Sequence, residues 1–154
     1  MMKQKGFTLV ELVMVIAVIA IISAVASSRF ADTSSFTSLG ARDQLIAASQ
    51  TAQKRALAFV DAANPVTLTV SQSGGLWQFN IVQGGTPIIS QSADRAGASL
   101  RVGGSLMTDG GSVTLNFDEN AETGANTEFN FSSQVNHRLC ISASGFAYRG
   151  ACQS

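Results

Sequence analysis

The sequence predicts an α+β fold: a long N-terminal helical spine over residues 7–64, packed on a C-terminal antiparallel β-rich head over 65–154. Three observations predict it. Residues 7–26 form an apolar run, no proline occurs before Pro65, and beyond that proline the apolar period changes from that of a helix to that of a strand. Length and composition agree with a single small core, at 154 residues and 16.0 kDa. Ten Lys+Arg balance ten Asp+Glu, so no overall field invites nucleic acid or anionic lipid. Charged residues are only 13%, against about 25% in an ordinary soluble domain. One His and two separated Cys leave no four-ligand zinc cluster, and no cofactor is expected.

Lys3 and Lys5 precede the run FTLVELVMVIAVIAIISAVA, Phe7 to Ala26. As a helix, these 20 residues reach about 30 Å, the hydrocarbon thickness of a bilayer. The basic residues ahead of it place the N-terminus in the cytoplasm and the remainder outside. A cleaved secretory signal is the alternative, but its apolar core is only about 7–15 residues long. Ala24-Val25-Ala26 is therefore read as a decoy rather than a cleavage site.

Glu11 is out of place in such a run, because an ionised carboxylate in hydrocarbon costs on the order of 2.5–3.5 kcal/mol. Either it reaches back to the headgroups, or it pairs with a cation supplied by a neighbouring chain.

KGFTLVELVMVIAVIAII, residues 5–22, resembles the leader junction and N-terminal helix of type IV pilins and type II secretion pseudopilins. The resemblance implies a pilin-like fold with a leader over residues 1–6, cut after Gly6 by a prepilin peptidase that then N-methylates Phe7. Glu11 falls at the family's glutamate, the fifth residue after the cut. Cleavage removes Lys3 and Lys5 and leaves an amine on Phe7 that Glu11 of a neighbour can neutralise. Breaking such a buried pair costs roughly 3–5 kcal/mol, enough to set register between stacked subunits. The implied partners are other pilin or pseudopilin subunits, through the N-terminal helix, the peptidase/N-methyltransferase, and an inner-membrane assembly platform. The implied location is the bacterial inner membrane, as a single pass with a periplasmic head, and then a pilus or pseudopilus.

Beyond the run, Leu45, Ala48, Ala52, Ala56, Phe59 and Ala63 recur at three or four, with Gln50, Lys54 and Asp61 on the other side. This predicts an amphipathic helix lying on a sheet and stopping at Asn64-Pro65. Asp32-Thr33-Ser34-Ser35-Phe36-Thr37-Ser38, followed by Gly40, is poor in helix formers and predicts a bend or frayed turn. Ser28 stands about where most filament pilins of the family carry a proline.

Strands are expected at 66–70, 76–81, 113–117, 127–131 and 138–142, with shorter candidates at 87–89 and 99–102. Gly74-Gly75, Gly84-Gly85, Gly103-Gly104, Gly110-Gly111 and Gly124 supply turns between them. One apolar face per strand means antiparallel sheet packed on one side, with the helix stripe completing the core.

RDQLIAASQTAQKRALAFV, VTLNFDENAETG and RLCISASGFAYRGAC are similar to the second half of the spine and the domain end of H-type minor pseudopilins. The cysteine-flanked ending also resembles minor pilins of the mannose-sensitive haemagglutinin system. On this topology Cys140 and Cys152 face an oxidising periplasm, and Gly145 and Gly150 allow the chain to turn back so that they pair. Two free thiols are the alternative.

Other candidates for chemistry read as structure. His137 is expected to be a solvated turn residue, Trp77 core packing, and Lys54-Arg55 a solvated helix face. Ser144-Gly145 has no G-x-S-x-G context. Asp118-Glu119-Asn120-Ala121-Glu122-Thr123-Gly124 loosely matches a calcium loop, but its glycine is one residue late and Phe129 stands where the twelfth-position Glu belongs. An acidic turn fits better.

The sequence therefore points to a minor pilin helping to initiate or cap a pilus, and not to an enzyme. The alternatives are an H-type minor pseudopilin, or a minor pilin that binds DNA or a surface ligand. DNA-uptake relatives carry a basic glycine-arginine motif where this chain has Gly145-Phe146-Ala147-Tyr148-Arg149, with a single cation.

Overall fold

The computed structural model describes the backbone of residues 8–29 and 33–153, with side chains over 8–25 and 34–153. The leader, Gly6 and Phe7 lie outside the described residues, as does Asp32. The chain forms two bodies, residues 1–33 and 34–154.

The first body contains α1 (Leu9–Arg29). Every described side chain from 9 to 25 is exposed, and Glu11 and Ser23 are the polar ones among them. Among the described residues, no helix is long and apolar enough to cross a membrane. The expected span starts at Phe7 and ends at Ala26, so both its ends fall outside the described side chains.

The second body joins α2 (Thr33–Ala58) to two antiparallel sheets. β1 (Val66–Ser73), β2 (Leu76–Gln83), β3 (Thr86–Asp94) and β6 (Ser112–Phe117) make the first, in the order β3-β2-β1-β6. β4 (Ser99–Val102), β5 (Ser105–Leu106), β7 (Thr127–Ser132), β8 (Asn136–Ile141) and β9 (Ala147–Arg149) make the second, in the order β5-β4-β7-β8-β9. All seven expected strands are present, while β5 and β9 were not anticipated. β1 and β3 run beyond their apolar cores because hairpin pairing continues into polar residues, Ser73 opposite Leu76 and Ser92 opposite Gln78.

One core serves both sheets and α2. Ala41, Leu45, Ala48, Ala52 and Ala56 form the buried stripe of the helix. Small side chains let the helix axis approach the strands, where Leu68, Val70, Phe79, Phe117, Phe129 and Leu139 are fully buried. The rings of Trp77 and Phe131 meet edge to face at 4.8 Å and so tie the two sheets together. Trp77 is core, as expected, and its indole N–H donates to Gln72 Oε1 at 3.0 Å. Gln72 Nε2 in turn donates to the Met107 carbonyl at 3.1 Å, so the buried amide is satisfied at both ends.

Two helix expectations are corrected. Residues 33–38 are helical rather than bent, as the start of α2. Thr37 Oγ1 and Ser38 Oγ donate back to the carbonyls of Ser34 and Ser35 at 3.1 and 3.0 Å. Ser38 and Ala41 are fully buried, so tertiary packing outweighs a propensity deficit of a few tenths of a kcal/mol per residue.

The helix also ends at Ala58, six residues before Asn64. Asp61 Oδ1 accepts the Ala63 N–H at 3.0 Å and Oδ2 accepts Asn64 Nδ2 at 2.9 Å. This local turn competes with further helix. The Asn64 side-chain amide is the main influence that holds the Asp61 carboxyl below its ordinary value; desolvation opposes it, and the Ala63 and Asn64 backbone donors add smaller support. Phe59 and Ala63 are consequently exposed instead of completing the stripe.

Arg55 is not a freely solvated cation either. Its guanidinium lies 3.8 Å from the Phe59 ring centroid, and its Nε donates to Gln83 Oε1 at 2.8 Å. Gln83 Nε2 then caps the Phe59 carbonyl at 2.9 Å. Lys54 is exposed, as expected.

Candidate functional site

Glu11 lies in the first turn of α1. Its Oε2 accepts the Thr8 N–H at 3.0 Å and the Thr8 hydroxyl at 2.9 Å, while Thr8 Oγ1 accepts the Glu11 N–H at 3.2 Å. This is a capping box: two backbone donors at the helix start are satisfied reciprocally. The Thr-x-x-Glu spacing was legible in the sequence as that signature but went unread beside the more conspicuous charge-in-hydrocarbon problem. Both bonds to the carboxylate use Oε2, which leaves Oε1 to accept a further donor.

The two cysteines lie in the second body and form a disulfide, with Cα atoms 4.9 Å apart. Cys140 is on β8, and Cys152 is on the tail that follows β9. The tail is held by more than sulfur. The Cys152 N–H donates to Glu128 Oε2 at 3.3 Å, the Gln153 N–H to the Tyr148 hydroxyl at 3.0 Å, and Asn126 Nδ2 to the Gln153 carbonyl at 3.3 Å. In the chain-entropy account, closing a loop of this length contributes about 3 kcal/mol. Cys140→Ser is therefore expected to lower the melting temperature by on the order of 10 °C. Mass mapping without reductant should recover the Cys140–Cys152 linkage, and two alkylatable thiols in protein alkylated directly from cells would overturn it.

The closed segment docks on the acidic turn. Thr123 N–H and Oγ1 donate to the carbonyls of Ala143 and Ser142, both at 2.8 Å, and the Ala143 N–H donates to Asn126 Oδ1 at 2.8 Å. Gln53 Nε2 of α2 reaches the Ser144 carbonyl at 3.3 Å. Asp118 Oδ1 accepts the N–H groups of Asn120 and Glu122 at 2.9 and 2.8 Å, so this carboxylate organises a turn. Among the described residues no group of three acidic, His or Cys side chains gathers for a metal.

Arg149, the cation of the Gly145–Arg149 stretch, donates through Nη2 to Asp43 Oδ2 at 3.1 Å, and Arg42 holds the other oxygen of that carboxylate at 2.8 Å. His137 is corrected from a solvated turn residue to a half-buried position on β8 opposite Phe131.

Residues 1–27 match the family described as the prokaryotic N-terminal methylation motif. No curated protein and no solved structure matches the chain. The match places Gly6, Phe7 and Glu11 inside a recognised N-terminal signature and leaves the head to be read from its own geometry.

Proposed function

We propose that this chain, which carries the N-terminal methylation motif of type IV pilin and pseudopilin precursors in its first 27 residues, is a minor pilin acting at the initiation or tip of a pilus. The motif implies processing by a prepilin peptidase and assembly with other pilin subunits, in a family that is structural rather than catalytic. In this reading the peptidase cuts after Gly6 and methylates Phe7. The precursor waits in the inner membrane with its head in the periplasm, and Glu11 pairs with the N-terminal amine of a neighbour during assembly.

The exposure of α1 is the observation that carries the reading. Leu9, Val10, Leu12, Val13, Met14, Val15, Ile16 and the large apolar residues after them are all at least half exposed. A helix apolar all round is stable only in lipid or among other such helices. The Gly145–Arg149 stretch carries the single cation Arg149, paired at the surface with Asp43, and so lacks the basic cluster of DNA-uptake relatives, which favours a structural role.

Processing tests the assignment. Mass spectrometry of sheared filaments should find a methylated N-terminus at Phe7. Gly6→Val should leave full-length precursor in the inner membrane, because the peptidase needs a residue without a side chain at the cut. A mature N-terminus at Phe7 in that variant would overturn the assignment.

A further inference from the structure

On the outer face of the second sheet, one rung runs Arg101–Asn130–Arg138 across β4, β7 and β8, each residue directly opposite the next. Opposed residues share a face, and neighbouring strands lie about 4.8 Å apart, so the two arginines flank the asparagine closely. Both arginines are exposed. Around them the polar groups are spoken for. Ser132 Oγ donates to Asn136 Oδ1 at 2.7 Å, Arg101 Nη1 donates to the Gly104 carbonyl at 3.1 Å, and Glu128 Oε2 holds the Cys152 N–H. Glu128 Oε1 stands 4.0 Å from Arg138 Nε, steering that guanidinium while only partly neutralising it.

Asn130 is the exception. Its Oδ1 is buried yet has no hydrogen-bond partner among the described residues. A buried acceptor left unmade costs about 1–3 kcal/mol, and such a group in a native fold calls for a partner. Asn130 lies between the two exposed arginines along the rung, so a ligand that reaches its oxygen must displace their side chains. The next rung along the same face is Glu128–Cys140–Tyr148, where the disulfide and the Cys152 N–H bond to Glu128 fix the tail.

We infer that this rung binds an acidic saccharide, with Arg101 and Arg138 taking a carboxylate and Asn130 Oδ1 accepting a hydroxyl of the same sugar. The donor requirement selects the ligand. A uronic acid carries hydroxyls beside its carboxylate, whereas a DNA backbone, without a 2′-hydroxyl, offers the asparagine oxygen acceptors only. Two cations beside one carboxylate also fall short of the charge that tracks nucleic acid. The inference does not depend on the filament reading, since it concerns the head alone.

Titrating the full chain in detergent micelles with a short oligogalacturonate, followed by amide NMR, tests it. Saturable binding should shift the Asn130 side-chain amide, and the methyl-esterified oligomer should not bind. Arg101→Gln and Arg138→Gln should each weaken binding by about tenfold, the value of one charge-assisted bond. Asn130→Asp, similar in shape but bearing a repelling charge, should abolish it while the circular dichroism melt stays near that of the parent. Failure of the oligogalacturonate to bind, or binding unchanged in Arg101→Gln and Arg138→Gln, overturns the inference. Equal retention of single-stranded DNA through the same residues overturns the hydroxyl-acceptor role of Asn130.

Discussion

Gly145→Ala is expected to be the most damaging single-methyl change in the head. Gly145 is buried at φ +76°, and a Cβ there would fall on the Ala121 carbonyl oxygen, with the carbonyl carbon at 3.2 Å and Gln53 Nε2 at 3.3 Å. Neither neighbour can yield cheaply. Ala121 is itself fully buried at φ 59°, a left-handed position that costs a non-glycine residue about 1–3 kcal/mol and is held there by the turn around Asp118. Gln53 is bonded to the Ser144 carbonyl.

The penalty therefore combines left-handed strain, about 1–2 kcal/mol, with overpacking, about 1–3 kcal/mol. Set against a total stability of about 5–15 kcal/mol, this should lower the melting temperature by on the order of 10 °C. Gly124→Ala separates the two contributions, because Gly124 is also left-handed, at φ +73°, but has nothing within 4 Å of a Cβ. It should cost the strain alone, about 1–2 kcal/mol. Equal melting temperatures for the two variants would remove the close approach of the 142–146 loop to Ala121 as a constraint on the head.

The contrast between those glycines also marks what the sequence conveys. Glycine pairs flanked by alternating residues revealed the hairpins, because a tight turn between strands imposes its chemistry locally. That Gly145 must lack a side chain depends on the Ala121 carbonyl, brought in from another loop, and no local pattern carries it. The alanine stripe of α2 was legible from period for the same reason as the hairpins, yet its ends were misjudged in both directions. Ser38 is buried because the fold covers it, and Phe59 is exposed because Asp61 turns the chain first. β9 has three residues and no alternation long enough to read, and it forms by pairing with β8. At the candidate site, sequence spacing brought out Glu11 and the two cysteines. The Arg101–Asn130–Arg138 rung could not be read that way, since register alone aligns residues so far apart in the chain.

Glu11→Gln is expected to abolish or sharply reduce filaments while leaving a normally processed protein in the inner membrane. The capping geometry makes this substitution a clean probe. Glu11 has two roles in the proposed assembly, capping its own helix through Thr8 and neutralising a neighbour's amine, and glutamine retains the first, since a capping box accepts either residue. Only the charge is lost. A lone chain then inserts at least as readily, because the cost of a carboxylate in hydrocarbon disappears. In the assembled state the neighbour's ammonium is left without a counterion, a loss of roughly 3–5 kcal/mol for each contact. Thr8→Val makes the converse change, keeping the carboxylate while removing the hydroxyl from the box, and should weaken the first turn by only about 1 kcal/mol with filaments retained. Counting filaments by microscopy while following processing by immunoblot separates the steps. If the chain acts in few copies, as the proposed minor-subunit role requires, the major subunit pool should stay normal even where filaments fail to start. Wild-type filament numbers with full incorporation of Glu11→Gln would mean that Glu11 only reaches back to the headgroups and caps its own helix.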